Sequence, residues 1–186
     1  MSQANRFRVA LSGSFQTDTG EPVFPMFDLS PLVDDPDIEF DYVYGVGGRI
    51  TAESLEDFDA LILLLENFDA NSVPQAGRLT LVTRFGVGYD TVDVEACTNA
   101  GIAVSITPDG VRRPVAASVL TFILALSGKL IVKDALVRGG PTTFAERSDH
   151  MGTGLVGRTL GSIGVGNIGA EVFRLCKPLD MKFIAY

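Results

Sequence analysis

The amino-acid sequence predicts an α/β protein in which parallel β-sheets are covered by helices. Segments typical of strands and of helices alternate along the first hundred residues, which is the order that builds such sheets. The run 59–65 is almost continuously apolar, as expected of a strand that is buried on both faces. A glycine-rich turn at 164–169 lies between a strand-like and a helix-like segment, which indicates a second α/β unit.

The first part of the chain, residues 1–107, is predicted to be a flavodoxin-like domain. A short helix is expected to begin at Thr51, whose hydroxyl would cap it. A second helix is expected at 92–100, where Gly101 follows in the position of a C-terminal cap. Five segments have the composition of strands, namely 7–11, 38–44, 59–65, 79–83 and 102–106.

The second part, residues 108–186, is predicted to be the start of a Rossmann domain. A boundary is expected at 107–110, and Pro114 would then occupy the first turn of an apolar helix over 115–126. The segment 139–157 is rich in Gly, Thr and charged residues and is predicted to be a loop. The remaining segments complete a βαβ pattern, namely a strand at 159–163, a helix that ends before Pro178 and a strand at 181–186.

The composition restricts the classes of function. The formal net charge is −8, which disfavours non-specific binding to nucleic acid or to an anionic membrane surface. The most apolar stretch, 115–126, is shorter than the roughly 20 residues that a membrane span needs. The N-terminal residues 1–6 are polar and do not resemble a signal peptide. Cys97 and Cys176 match no zinc or redox spacing and are interpreted as buried side chains of a reducing compartment. We therefore expect a cytoplasmic protein without a metal site.

The stretch 164–169 has the G-x-G-x-x-G spacing of a loop that binds the phosphates of a dinucleotide. The first glycine permits a tight turn, the second lets the backbone approach the pyrophosphate, and the third lets the helix pack closely on the strand. The N–H groups at the start of the helix would then bind the phosphates. The alternative is a glycine-rich turn that binds no ligand. The predicted cofactor-binding residues of this loop are Gly164, Gly166, Asn167, Ile168 and Gly169.

The identity of the dinucleotide depends on a residue further along the chain. An acidic side chain that binds the adenosine ribose is expected about 20 residues into the motif, which places it after Tyr186. NAD is therefore the default cofactor, and NADP stays open as the alternative.

Three stretches follow one another in an order that points to a known family. They are 84–93 (RFGVGYDTVD), 100–104 (AGIAV) with the following Thr107-Pro108, and 157–164 (GRTLGSIG) leading into the glycine-rich loop. With these stretches the sequence resembles the D-isomer-specific 2-hydroxyacid dehydrogenases. The resemblance runs from about Thr51 to the end, whereas the first fifty residues match only in layout. Members of this family are considerably longer, so the resemblance implies an N-terminal fragment.

The resemblance implies an enzyme that transfers a hydride between a nicotinamide cofactor and a D-2-hydroxy or 2-oxo acid. The substrate would be of the 3-phosphoglycerate or glyoxylate/hydroxypyruvate type. Residues 1–107 would form the substrate domain and 108–186 the start of the NAD-binding domain, and the full-length protein would be a homodimer. The family's catalytic Arg, Glu and His would lie after Tyr186, so no catalytic residue is assigned and the chain alone is expected to be inactive.

The resemblance also places the loop 86–88 against the nicotinamide and the substrate. Two glycines around Val87 follow a parallel strand and would leave backbone N–H groups free to hold a substrate carboxylate. The alternative is a plain turn. The predicted substrate-binding residues are Arg84, Gly86, Val87 and Gly88, and Val87 is also predicted to contact the cofactor.

Other interpretations stay open at this stage. A non-catalytic, NAD(H)-sensing corepressor would have the same fold, whereas a methyltransferase is disfavoured because both glycine-rich loops fit the dehydrogenase. Ala117 and Ile106 stand where many family members have Glu and Asn, which leaves the substrate subfamily open. His150 is interpreted as a solvated loop residue. Arg112 and Arg113 are interpreted as a solvated pair, with a grip on an anionic ligand as the alternative.

Overall fold

The computed structural model describes residues 6–186 and divides into two compact units between Pro108 and Asp109. The interpretation of the polar N-terminus concerns residues 1–5 in the main, and these lie outside the described residues. The strands are β1 (Phe7–Ser12), β2 (Ile38–Val43), β3 (Ala60–Leu63), β4 (Leu81–Arg84), β5 (Ala103–Ile106), β6 (Thr159–Ser162) and β7 (Lys182–Ala185). The α-helices are α1 (Ser30–Val33), α2 (Val94–Asn99), α3 (Pro108–Ser127), α4 (Leu130–Arg138), α5 (Pro141–Phe144) and α6 (Asn167–Cys176).

The first unit is built on a five-stranded sheet with the strand order β2-β1-β3-β4-β5, in which every neighbouring pair is parallel. This is the flavodoxin-like order, so the predicted fold class is confirmed. The apolar sequences of β1 and β3 account for their positions inside the sheet, because a strand in the middle of such a sheet is covered on both faces. Ala10 and Leu11 of β1 and Leu61 and Leu63 of β3 are fully buried.

Of the two helix caps predicted in the first unit, the one at the end of α2 is present and the one at Thr51 is not. The Asp93 side chain caps α2 by accepting a hydrogen bond from the Ala96 N–H at 2.9 Å, and Gly101 has a φ of +73° just after the helix. The prediction of Thr51 as a helix cap is wrong. A short 3₁₀ turn begins after Ala52, and Thr51 instead offers its carbonyl to the Ser54 hydroxyl at 2.7 Å.

The amino end of β3 is fixed by Asp59. The Arg78 guanidinium donates two hydrogen bonds to this carboxylate, at 2.9 and 2.8 Å, and the Arg8 N–H donates a third at 2.7 Å. Hydrogen bonding to Arg78 outweighs desolvation and holds the pKa of Asp59 below its ordinary value. The charged carboxylate thus joins β1, β3 and the segment before β4.

The second unit contains a βαβ arrangement in which β6 and β7 pair in parallel and α6 connects them. Ala116 of α3 and Val172 and Cys176 of α6 form its small buried core. Cys97 and Cys176 are both buried free thiols, and burial raises the pKa of each. Their interpretation as small core side chains is confirmed.

The helices of the second unit differ from the sequence expectation in three ways. First, α3 begins at Pro108, so Pro114 lies inside the helix and not in its first turn. Pro108 takes the first position, where a missing N–H costs little, while Pro114 cannot bond the Gly110 carbonyl. Second, α4 follows α3 without having been predicted. Third, the predicted loop 139–157 contains α5 and a 3₁₀ helix at Ala145–His150.

The length of α3 overturns one argument from the sequence. The sequence argument was that the apolar stretch 115–126 is too short to span a membrane. The helix that contains this stretch has 20 residues and, by length and composition alone, is long and apolar enough to do so. Such a helix is weak evidence for a membrane span, because core helices of soluble proteins share these properties. Ala116, Val119, Leu120 and Ile123 of α3 pack into the apolar cluster of the second unit.

Candidate functional site

The loop after β4 is held in an unusual backbone conformation. Gly86 has a φ of +145°, which side chains rarely permit, and a Cβ there would lie 2.5 Å from Nη1 of Arg84. The Gly86 carbonyl accepts hydrogen bonds from the Thr107 N–H at 2.8 Å and from the Thr107 hydroxyl at 3.2 Å. Thr107 follows β5, so the ends of two neighbouring strands fix this loop.

The loop presents unused hydrogen-bond donors. Within residues 6–186, neither the Val87 N–H nor the Gly88 N–H donates a hydrogen bond. The Arg84 guanidinium folds over the loop and donates from Nη1 to the Phe85 carbonyl, while its buried Nε has no partner in the described part of the chain. Two backbone donors beside a guanidinium at the carboxyl end of a parallel strand can hold a carboxylate. The structure brings Arg84, Gly86, Val87 and Gly88 together in this one loop.

A polar cavity of about 740 Å³ opens at the carboxyl ends of β1, β2 and β3. Its lining includes the nearly buried carboxylate of Glu66, which accepts hydrogen bonds from the Ser14 N–H at 2.9 Å and the Ser14 hydroxyl at 2.7 Å. Burial alone would raise the pKa of Glu66, but hydrogen bonds, first among them the one from the Ser14 hydroxyl, together outweigh it and hold this pKa below its ordinary value. Tyr44 and Asp18 also line the cavity.

The second unit carries the predicted phosphate loop between β6 and α6. Gly164 has a φ of +81°, and its carbonyl accepts a hydrogen bond from the Ser162 hydroxyl at 2.8 Å. Gly166 is the N-cap of α6 and provides no side-chain cap. Consequently the N–H groups of the first helical residues have no acceptor in the described part of the chain. These donors and the helix dipole favour an anion.

The glycines of this loop differ in what surrounds them. A Cβ at Gly166 would enter open space, whereas a Cβ at Gly169 would lie 3.0 Å from the Gly164 carbonyl oxygen. Gly169 is therefore needed for close packing of helix and turn, and Gly166 leaves the space in front of the helix free for phosphates. The loop brings together the predicted residues Gly164, Gly166, Asn167, Ile168 and Gly169.

The helix behind the phosphate loop contains a buried carboxylate. Glu171 is only 3% exposed and forms ion pairs with Arg113 and Arg174. The side chains of Arg112 and Arg113 are both exposed, as interpreted from the sequence; Arg113 also pairs with Glu171, and Arg112 pairs with the exposed Asp109 at 3.2 Å. Among residues 6–186, no group of three or more His, Cys, Asp or Glu side chains is placed to hold a metal ion.

Comparison with known proteins identifies the family. The family model described as D-isomer specific 2-hydroxyacid dehydrogenase, catalytic domain, matches residues 28–168. The chain belongs to this family. The resemblance noted from the sequence is thereby confirmed.

Relatives in this 2-hydroxyacid dehydrogenase family are similar over much of the chain. It is 36% identical over 143 residues to the glyoxylate reductase of Thermococcus gammatolerans, covering 74% of this chain and 43% of that protein. It is 31% identical over 150 residues to the D-3-phosphoglycerate dehydrogenase of Archaeoglobus fulgidus, covering 80% and 28%. The chain thus spans less than half the length of these relatives.

Solved structures agree with the fold. The 2-hydroxyacid dehydrogenase from Ketogulonicigenium vulgare Y25 is 25% identical and superimposes with a TM-score of 0.72, covering 100% of this chain and 54% of that one. The Aquifex aeolicus D-lactate dehydrogenase, complexed with NAD and lactic acid, is 22% identical and gives a TM-score of 0.73. It covers 96% of this chain and 50% of that one.

Sequence reasoning missed three contacts near these loops, namely Ser14 with Glu66, Thr107 with Gly86 and Arg113 with Glu171. The Ser14–Glu66 contact joins residues 52 positions apart, and Thr107 was noted only as part of a motif. One signal could have found Glu66, since it follows the apolar run of β3 at the end of the strand where ligands of parallel sheets bind. No comparable signal distinguishes Arg113 as the partner of Glu171.

Proposed function

We propose that this chain carries the substrate loop and the phosphate loop of an NAD-dependent 2-hydroxyacid dehydrogenase. The reaction is hydride transfer between the nicotinamide and C2 of a D-2-hydroxy or 2-oxo acid. Residues 1–107 serve as the substrate domain, and residues 108–186 begin the nucleotide-binding domain. The observation that carries the proposal is the set of free N–H groups at the start of α6, directly behind the G-x-G-x-x-G loop of a βαβ unit.

The phosphate loop fits a dinucleotide. The N–H groups of Asn167, Ile168 and Gly169 hold the pyrophosphate, and the bare backbone at Gly166 lets it approach. When bound, NAD supplies or accepts the hydride. NAD is the first choice because family members bind it, and NADP is the alternative that a direct comparison of the two cofactors would test.

The loop after β4 fits an α-oxo carboxylate. The N–H groups of Val87 and Gly88 hold the substrate carboxylate, the Arg84 guanidinium adds positive charge beside them, and Gly86 provides the backbone conformation. Val87 also contacts the nicotinamide in this proposal. The names of the relatives make glyoxylate, hydroxypyruvate and 3-phosphoglycerate the first substrates to test.

The proposal includes a cytoplasmic, homodimeric enzyme. Two buried free cysteines suit a reducing compartment. Large apolar side chains such as Phe122, Leu126 and Ile131 are exposed on α3 and α4, and a surface of this kind supports contact with a second copy.

The test is NADH binding by the full-length protein and its Gly166→Val variant. The valine side chain would fill the space in front of α6, so we expect the Kd for NADH to rise about tenfold or more, through loss of charge-assisted hydrogen bonds of roughly 1.5–3 kcal/mol. Fluorescence titration measures this Kd. Gly154→Val is the matched control, because a Cβ at Gly154 also meets open space but lies outside the loop. Unchanged NADH binding by Gly166→Val would overturn the proposal.

A further inference from the structure

Four phenylalanine rings meet at the carboxyl edge of the first sheet. Phe85 lies 5.3 Å from Phe15 and 5.2 Å from Phe27, between ring centroids, and both contacts are edge-on. Phe24 lies 6.0 Å from Phe85, and Phe15 stacks on Phe27 at 4.9 Å. We call these four residues the aromatic cluster. Three of them come from the segment between β1 and α1, which is mostly non-helical.

The aromatic cluster is only partly covered by the protein. Phe15 is buried, but Phe24 is 41% and Phe85 is 38% exposed. Val23 and Met26, in the same segment, are also exposed. Rings that only completed the core would be covered on all sides, as Phe15 is. Phe24 and Phe85 therefore present apolar surface that residues 6–186 leave uncovered.

The position of Phe85 indicates what that molecule is. Phe85 directly precedes Gly86, and its N–H donates to the Leu63 carbonyl at 2.8 Å, so its backbone is fixed at the start of the loop that offers the Val87 and Gly88 N–H groups. If this loop holds the carboxylate of a 2-oxo acid, the side chain of that acid lies only a few bonds away. It is therefore close to the residues that flank the loop. Ring faces there favour a side chain that is apolar.

The polar cavity beside the cluster disfavours a second anionic group on the substrate. Ser14, which lines the cavity, belongs to the same 3₁₀ turn as Phe15. Glu66 and Asp18 contribute two carboxylates, and no Lys, Arg or His is among the residues that line it. A phosphate or second carboxylate would meet like charge and find no cation in this cavity.

We propose that the preferred substrate is a 2-oxo acid with an uncharged, apolar side chain, which Phe24 and Phe85 contact. This inference rests on the proposed function and narrows its substrate class. Phe85 and Phe24 are specificity-determining residues, and Glu66 excludes phosphorylated acids.

The experiment compares kcat/KM of the full-length protein with NADH and three acids: phenylpyruvate, glyoxylate and 3-phosphohydroxypyruvate. We expect phenylpyruvate to exceed each of the others by about tenfold or more. Phe85→Ala and Phe24→Ala should each lower the preference for phenylpyruvate over glyoxylate, Phe85→Ala by about tenfold. Phe7→Ala is the matched control, since Phe7 is 44% exposed but lies at the amino end of β1, on the opposite edge of the sheet. It should leave the preference unchanged.

The outcomes separate the two proposals. Preference of the wild type for glyoxylate or 3-phosphohydroxypyruvate overturns this inference and leaves the proposed function standing. Equal loss with all three acids in both Phe85→Ala and Phe24→Ala assigns the cluster a purely structural role and also overturns it. Absence of turnover with every acid refutes the proposed function, and the inference falls with it.

Discussion

The two sheets of this protein differ in how they are covered. In the first unit, four of the six residues of β1 and three of the four residues of β3 are buried. In the second unit, no residue of β6 or β7 is fully buried, and the exposed side chains include Ile163 and Ile184 beside or within these strands. The first sheet therefore satisfies the need of parallel strands for cover on both faces, and the second does not satisfy it within residues 109–186.

The two units also differ in the size of their apolar cores, and a small core does not prevent the second unit from forming its phosphate loop. The first unit has a continuous apolar core that reaches from β1 through Ile50, Leu55 and Phe68 to α2. The second unit has a core of three buried residues with partly buried neighbours. The backbone of its phosphate loop is nevertheless shaped by local glycine geometry, which does not require a large core.

The largest expected effect comes from opening the first core. Leu61 is fully buried in the central strand β3, so Leu61→Ala should lower the free energy of unfolding of the first unit by about 2–5 kcal/mol. Urea unfolding followed by circular dichroism measures this change, and hydrogen exchange of the β3 amides assigns it to the first unit. Val156→Ala is the comparison in the second unit, where the side chain is 77% exposed, and should shift stability by about 0.5 kcal/mol or less. Equal effects would remove the contrast between the units.

Acid should weaken the first unit through Glu66 and Asp59. Both carboxyl groups have a pKa below the ordinary value, Glu66 through hydrogen bonds that outweigh desolvation and Asp59 first through its hydrogen bond with Arg78. A lowered folded pKa means that their stabilisation is full above the ordinary pKa and is lost as the pH falls through the folded pKa. We expect the urea midpoint of the first unit to fall between about pH 5 and pH 3.

The variants Glu66→Gln and Asp59→Asn serve as controls for this pH dependence. Each removes the titrating group, so each should reduce the stability at neutral pH and flatten its decline in acid. A decline as steep in the double variant as in the wild type would show that other groups cause the acid sensitivity.

The smallest expected effect concerns the ion pairs behind the phosphate loop. Arg113 and Arg174 have exposed side chains, so solvent screens them, and Arg113→Ala should cost about 1 kcal/mol or less. The double variant with Arg174→Ala leaves the buried Glu171 carboxylate without a cation and should cost more than the sum of the single changes. A double-variant cycle by thermal unfolding measures the difference. Strict additivity would mean that the two guanidinium groups act on Glu171 independently of each other, which contradicts this expectation.

The sequence was informative wherever a pattern is set by neighbouring residues. The five strands of the first unit and the strand-loop-helix pattern at 159–176 follow from apolar runs and glycine spacing, and the structure has them within a few residues. The start of α3 was misjudged because two prolines, Pro108 and Pro114, compete for the first position and only one can hold it. The short helix α5 has no periodic pattern long enough to read from sequence.

The candidate site was predictable only in its backbone features. Gly86 indicates a turn with an unusual backbone conformation, and Gly166 indicates open space in front of a helix. Both features depend on the local backbone alone. The contact of Ser14 with Glu66 depends on which strands become neighbours, and so does the meeting of Phe15 with Phe85. Pairing across 52 or more residues is fixed by the tertiary fold and leaves no signal in one sequence.

The contact of Thr107 with Gly86 also sets the direction of a hydrogen-bond donor. In a trans peptide the carbonyl of one residue and the N–H of the next lie in one plane and point in opposite directions, and the described chain has no cis peptide. Two donors of Thr107 hold the Gly86 carbonyl toward the end of β5. The Val87 N–H must therefore point away from β5, so Thr107 sets the direction of this donor although the two residues are 20 positions apart in the sequence.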